Sequence, residues 1–560
     1  MATQPRRRSI SSAVGRTLPC SRSSPLSHAS TVALSNPSIY QPGLQYGPDE
    51  GYGPLRQHVA QWLTSFYAPP DPISPDRICI SGGASQNLAC ILQVFTDAAY
   101  TRNIWMVAPT YYLACRIFDD AGFAGRLRGV PEDAEGIDID FLERVFLSWG
   151  KEKTYKPPRP WRKIYKYVIY LTPTFANPSM KVVSLRRREQ LVRLARRYDA
   201  LIVSDDVYDF LQWSSRPETV LPNPEKAFIP RLVDIDRYLD GGPIDGWGNT
   251  VSNGSFSKLI APGVRTGWAE GTERFVYGLS QTGSSRSGGA PSQLTATFID
   301  QLLSTGALQK HIATVLQPAY GKRYHQVMTA IHDHLLPLGF RIPSSSPPVV
   351  GGYFIWVNLP QPLRATELAQ KALTEENLKI GSGTLFQVQG DPTEGSDDFE
   401  GSIRISFAWE EFDLLDQGVQ RLAAVARRML AARCPAVIAA HSIPESQAVK
   451  HPIQKLTSSI KQQSGRWHSN AVVRLGGQHL PWLSRAPGDP SDACLALGLL
   501  VTHPRKLALH LTPPRTGFRL QIGPPDETER FRISLLASLR NSEHFSLIAL
   551  LTGVFMVASH

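Results

Sequence analysis

The chain has 560 residues, 42% of them hydrophobic, and a formal net charge of +11. It is long enough for more than one core and has the composition of a globular protein. Residues 1–48 carry five arginines and no acid, and residues 431–560 carry 14 Lys/Arg against 7 Asp/Glu, so the stretch between is nearly neutral and offers no basic face for nucleic acid.

The first 30 residues are rich in Arg and Ser and hold no acid. They read as a disordered tail or as a mitochondrial transit peptide. The expected compartment is therefore cytoplasmic, with the mitochondrion as the alternative, and residues 1–45 are expected to be partly disordered. Residues 46–330 alternate short apolar strands with amphipathic helices. Pro54 opens a helix carrying Leu55, Val59, Trp62 and Leu63 on one side. Asp76–Ser81 reads as a strand and Ser85–Phe95 as the helix after it. Ile104–Ala108, Tyr167–Leu171 and Leu201–Ser204 are continuous apolar runs, the signature of buried parallel strands. Leu185–Tyr198 reads as a basic amphipathic helix whose charges form a solvated face. This alternation predicts an α/β domain with helices on both sides of its sheet.

Residues 331–432 change character. A long helix ends near Leu336, before Pro337. Gly351–Val357 and Ser402–Phe407 read as strands, and Phe412–Ala432 as a closing helix, which predicts a smaller α+β domain. Residues 433–560 show no period and no repeat and read as disordered or as an extension foreign to the rest. Phe545–Ala558 is apolar but has 14 residues, short of the roughly 20 that span a bilayer, so no membrane partner is expected. The six cysteines (Cys20, Cys79, Cys90, Cys115, Cys434 and Cys494) have no paired spacing; no metal site or disulfide framework is expected, which fits a reducing compartment.

The segment Ser252-Asn253-Gly254-Ser255-Phe256-Ser257-Lys258 is followed seven residues later by Arg265. An amine among small hydroxyl residues, with a guanidinium at fixed distance, suits an aldehyde that forms a Schiff base and carries a phosphate. Lys258 would take the aldehyde, and Ser255, Ser257 and Arg265 the phosphate. That ligand is pyridoxal 5′-phosphate. The plainer alternative is a surface lysine. Upstream, Gly82-Gly83-Ala84-Ser85-Gln86 joins a strand to a helix. Gly83, Ala84 and Ser85 would offer backbone amides and a hydroxyl to a phosphate, or form an ordinary turn. Asp205 ends an apolar run and Tyr208 follows three residues later. A carboxylate at the end of a parallel strand points into the ligand crevice. There it can keep a pyridine nitrogen protonated, while the phenol sits beside the ring's O3′. Asp206 competes for the same role. Arg404 lies inside a strand, where a buried guanidinium is costly without a partner; a substrate α-carboxylate or a structural ion pair would satisfy it.

These motifs, in this order, resemble the class I/II, fold-type I pyridoxal-phosphate aminotransferases over residues 17–430. Tyr46–Arg56, Pro173-Thr174-Phe175 before Asn177, Ser255-Phe256-Ser257-Lys258 and Ala261-Pro262-Gly263 are similar to the aromatic/2-aminoadipate subgroup. The resemblance implies a large domain with a mainly parallel sheet and a smaller C-terminal domain. It implies that Asn177 donates to O3′ and lies beside the substrate, that Tyr111 stacks on the pyridine, and that Tyr46 reaches the phosphate of a neighbouring subunit in a homodimer. It makes Lys258, Asp205 and Tyr208 the catalytic set and Arg404 the substrate carboxylate partner. The implied reaction moves an amino group between an α-amino acid and a 2-oxo acid. A C–S or β-lyase, a cyclising synthase, a pyridoxal-binding regulator and a non-catalytic homologue are the rivals. Two departures stand out: Ser179-Met180 replaces the usual Thr-Gly, and residues 1–16 lack the family's Leu-x-x-Gly-x-Pro-like arm.

Overall fold

A computed structural model describes residues 23–148, 159–343, 348–391 and 398–433 and, beyond them, five short strands. The chain forms two compact units, Met1–Ser442 and Ile443–His560. The expectations for residues 1–16, and most of those for residues 433–560, lie outside the described residues. The second unit contributes two small antiparallel sheets: Arg474–Leu475 with Gln478–His479, and Ala508–Thr512, Arg519–Gly523 and Phe531–Ile533.

The first unit is built on an eight-stranded sheet. Its members are β1 (Ile78–Ser81), β2 (Ile104–Ala108), β3 (Leu127–Asp133), β4 (Gly136–Ile137), β5 (Tyr167–Leu171) and β6 (Ala200–Asp205). After β7 (Gln212–Ser214), which lies outside this sheet, come β8 (Thr250–Ser255) and β9 (Gly267–Glu270). The spatial order is β1-β9-β8-β6-β5-β2-β3-β4. Strands β3, β2, β5, β6 and β8 run parallel, and β9 is antiparallel to both its neighbours. The register aligns Leu171 with Ser204 and Asp205 with Asn253. The carboxyl ends of β5, β6 and β8 therefore open on one edge of the sheet.

Strands β5, β6 and β8 are buried along their whole length. Alternation sends Val168 and Tyr170 of β5 to one face and Tyr167, Ile169 and Leu171 to the other. The helix Ala84–Phe95 covers the first face and the helix Leu185–Tyr198 the second. Each aliphatic side chain removed from water here contributes about 1.5–3 kcal/mol before entropy is charged. This covering on both sides is why β5 and most of β6 read as apolar runs, while β8 is buried though largely polar.

A three-stranded antiparallel sheet follows, with β11 (Phe354–Asn358), β12 (Gly381–Ser382) and β13 (Ser402–Ser406) in the order β11-β13-β12, while β10 (Val349–Gly351) pairs with β7. The expected strand Gly351–Val357 is thus split in two. Gly352 sits at φ 77°, and a Cβ on Gly351 would lie 2.1 Å from the Leu211 carbonyl oxygen. Only glycine tolerates both demands.

Other expectations need correction. Pro75–Arg77 form a 3-10 turn, so β1 starts at Ile78 rather than Asp76. Of residues 1–45, the described ones are mostly helical. Ser23–Ser35 and Pro37–Gly43 are helices packed on the helix Gln293–Ser304, with Ala29 and Ala33 buried. Asn36 caps the second of them by accepting from Ser38 N at 3.0 Å. The basic helix Leu185–Tyr198 is only partly a solvated face. Arg186 and Arg197 do pair at the surface with Glu135 and Glu143. Arg187 and Arg188, however, are buried. Arg188 finds four oxygens inside the protein, which replace water as its hydrogen-bond acceptors.

Candidate active site

Lys258 ends the short turn Phe256–Lys258 that β8 runs into. Its Nζ lies 5.9 Å from the centre of the Tyr208 ring and 5.6 Å from that of Tyr353. The Tyr353 hydroxyl donates to the Lys258 carbonyl oxygen at 3.1 Å, fixing the turn. Burial pulls the Lys258 ammonium down to about 8, against the Asp205 charge, which pushes it up. A larger share of the amine is then free near neutral pH than in an ordinary lysine, as a nucleophile or base requires. A lysine lowered to about 8 costs the folded state fully below that pH, and the cost disappears above the ordinary value of about 10.4. Lys258→Met should therefore raise the melting temperature of the cofactor-free protein at pH 7, and the gain should fade through that window. A gain that grows with pH in a melting series would contradict the assignment.

Asp205 and Asp206 take different environments, as alternation along a strand demands. Asp205 Oδ2 accepts from the Tyr170 hydroxyl at 2.8 Å and Oδ1 from Asn253 Nδ2 at 3.3 Å. Its carboxyl is pushed up to about 7 by burial, with the Tyr170 bond and the Lys258 charge opposing and Asp206 adding to the rise. Asp206 accepts from Ser204 Oγ at 2.6 Å and from Ser252 Oγ. Burial raises it too, opposed by the Arg231 and Arg188 charges. Asp205 thus faces the lysine, and Asp206 faces a buried structural cluster.

The glycine turn and Arg265 form a cradle. The helix is one residue longer than expected, Ala84–Phe95, and its N-cap Gly83 has φ 99°. Arg265 Nη2 donates to Gly82 O at 3.0 Å, and its Nη1 to Ser257 Oγ at 3.3 Å. A Cβ on Gly83 would stand 2.8 Å from Arg265 Nη2, so the guanidinium closes over the turn only because the residue is glycine. Ser255 Oγ accepts from Ser257 N at 3.2 Å. The helix N-terminus at Ala84 and Ser85, two serines and an exposed guanidinium make an anion site.

Across from the lysine, Arg404 is buried in the middle of β13, opposite Trp356 and Gly381. Its guanidinium lies 3.9 Å from the Phe354 ring centre and 4.6 Å from that of Phe386. Burial lowers its charged form to about 10. Arg404 Nη1 donates to Asn177 Oδ1 at 2.7 Å. With the amide oxygen so engaged, Asn177 Nδ2 is left as the donor. Tyr208 is buried, which raises its phenol, and Arg404 opposes the rise. The Tyr111 phenol is raised to about 12 by burial and then by Asp205. Tyr46 stands apart at 90% exposure, its ring against Gly288.

The donor set fits pyridoxal phosphate. There is an anion cradle beside a lysine of lowered proton affinity, and a buried carboxylate held by two donors for a ring nitrogen. Comparison with known proteins agrees. The family model "Aminotransferase class I and II" matches residues 30–422. The chain belongs to this family. It is a pyridoxal-phosphate-dependent aminotransferase of fold type I. It is 35% identical over 69% of its length to the uncharacterized protein YER152C of Saccharomyces cerevisiae, 87% of which is covered. It is 28% identical to aromatic-amino-acid aminotransferase 1 of Thermococcus litoralis, over 68% of this chain and 79% of that protein. Among solved structures it resembles LysN, the alpha-aminoadipate aminotransferase of Thermus thermophilus, complexed with N-(5′-phosphopyridoxyl)-L-leucine. That match has 26% identity and a TM-score of 0.58, covering 76% of this chain and 93% of that one. Among the described residues no helix is long and apolar enough to cross a membrane.

Several residues of this aminotransferase's site escaped sequence reasoning. Tyr170 supports Asp205 from inside an apolar strand, where a phenol reads as core. Asn253 bonds Asp205 and also accepts from Asn87 Nδ2 at 2.8 Å; its place in the lysine segment was the available signal. Tyr353 follows the Gly-Gly break and reads as a strand residue. Phe386 has no local signature at all.

Proposed function

We propose that this aminotransferase takes the amino group from an aromatic or 2-aminoadipate-like amino acid and delivers it to a 2-oxo acid. The observation that carries the reading is the convergence of Tyr111, Asn177, Asp205 and Lys258 at the carboxyl ends of β2, β5, β6 and β8, with Arg404 bonded to Asn177. Bound pyridoxal phosphate supplies an electron sink for the pair left when a Cα proton departs. The chain's own groups do the rest. Gly83, Ala84, Ser85, Ser255, Ser257 and Arg265 hold the phosphate. Asp205 would hold the ring nitrogen's charge in a dry site, Asn177 and Tyr208 would bind the phenolic oxygen, and Tyr111 would cover the ring. Lys258 is the attachment point, and its freed Nζ takes the proton from the substrate Cα. Arg404 binds the α-carboxylate through a charge-assisted fork.

The aromatic walls around Arg404, formed by Phe354 and Phe386 with Tyr112 5.7 Å from Phe386, favour a large flat side chain. Two relatives named above support aromatic and 2-aminoadipate donors. Tyr46, exposed in one chain, serves the phosphate of a second copy in a homodimer. The cofactor belongs to a large domain, residues 46–330, and a smaller one, residues 331–432, brings Arg404. The test is a screen of amino donors with 2-oxoglutarate on the full-length holoenzyme. Glutamate should form fastest with aromatic donors or 2-aminoadipate. Preference for small aliphatic donors would overturn the substrate class, and release of thiol or ammonia without glutamate would overturn transamination.

A further inference from the structure

Asn177 sits on a segment, Pro173–Val183, whose backbone is not relaxed. Phe175 and Met180 adopt φ 54° and 59°, a region unfavourable to residues that carry a side chain. Three bonds close the segment on itself: Ala176 N to Lys181 O at 3.0 Å, Met180 N to Ala176 O at 2.7 Å and Val183 N to Pro173 O at 2.8 Å. Such a loop keeps its shape only if something outside it over-determines that shape. Ser179 and Lys181 tie its middle to Glu132 and Asp133, and Arg188 is the group that holds its two ends. It is 0% exposed on the helix that follows. Its Nε donates to Val183 O at 2.9 Å, and Nη2 donates to Pro173 O at 3.0 Å and to Thr174 Oγ1 at 2.8 Å. Its Nη1 donates to Pro230 O at 2.9 Å. One guanidinium thus clamps both ends of the segment and ties them to a third element.

We propose that Arg188 is a positioning residue for substrate binding: by clamping both ends of Pro173–Val183 it sets the Asn177 amide, and through the Asn177–Arg404 bond it aims the arginine that receives the α-carboxylate. The inference rests on the roles given above to Asn177 and Arg404. A fork of five donors is needed because the acceptors point from three directions. A lysine keeps the charge and loses the geometry.

Arg188→Lys tests it in two arms. In the cofactor-free protein, hydrogen exchange at the Ala176, Met180 and Val183 amides should accelerate while β5 and β6 stay protected. In the holoenzyme, KM for the amino donor should rise about tenfold, the scale of one charge-assisted hydrogen bond, with kcat and pyridoxal phosphate affinity changing less. The pH midpoint of the bound cofactor's visible absorbance should move in the direction that Asn177→Ala moves it. Adding Arg188→Lys to Asn177→Ala should give little further change, because the two act as one unit. If Arg188→Lys does not fold, Thr174→Val, which removes a single acceptor, should show a smaller version of the same pattern. A variant that melts earlier with loop exchange, KM and absorbance midpoint unchanged overturns the proposal. Loop loosening in a protein that fails to bind pyridoxal phosphate even as wild type would instead overturn the functional reading and leave the clamp standing.

Discussion

Lys258→Ala should abolish transamination, lowering turnover on the order of 10⁴-fold or more, because the attachment amine and the proton carrier are lost together. The fold should survive. The side chain sits in a turn that Tyr353 fixes through the backbone carbonyl, which alanine retains. Circular dichroism and steady-state kinetics on the same preparation check both statements. Retained turnover in a folded Lys258→Ala protein would mean that another amine holds the cofactor.

Asp205→Ala should cost about 10³-fold in turnover, the scale of removing a preorganised electrostatic partner, while pyridoxal phosphate still binds through the cradle. Asp206→Ala should behave differently. Its carboxylate is bonded by Ser204 and Ser252 and faces Arg231 and Arg188. Removing it leaves the buried Ser204 and Ser252 hydroxyls without their acceptor, at about 1–3 kcal/mol. The expected result is a lower melting temperature with a smaller kinetic effect than Asp205→Ala. Greater kinetic damage from Asp206→Ala would put the strand register one residue off.

Much of this was legible in the sequence for a definite reason. Buried parallel strands are apolar throughout, so their ends are marked by the first polar residue, and in an open α/β sheet those ends are where ligands bind. Asp205 is such a terminator, whereas the Gly82-Gly83 turn, after the antiparallel strand β1, and Lys258, after the mostly polar β8, were legible from their own residue patterns. What stayed hidden works from inside ordinary-looking patterns. Arg188 lies in a run of three arginines in which Arg186 is solvated while Arg187 and Arg188 are buried, and nothing local separates a buried guanidinium from an exposed one. Tyr170 occupies a strand face that could equally hold Phe. Asn177 and Arg404 are 227 residues apart, so their bond is a product of tertiary structure alone. The break at Gly351-Gly352 was missed because the residues around it have strong strand character, and the steric demand comes from Leu211, far away in sequence.

The most direct test of the central claim is borohydride reduction of the holoenzyme followed by peptide mapping. The phosphopyridoxyl group should appear on the peptide containing Ser255-Phe256-Ser257-Lys258, with Lys258 as the only modified residue. A phosphopyridoxyl group on any other lysine, or no label on a protein that transaminates, would contradict the account.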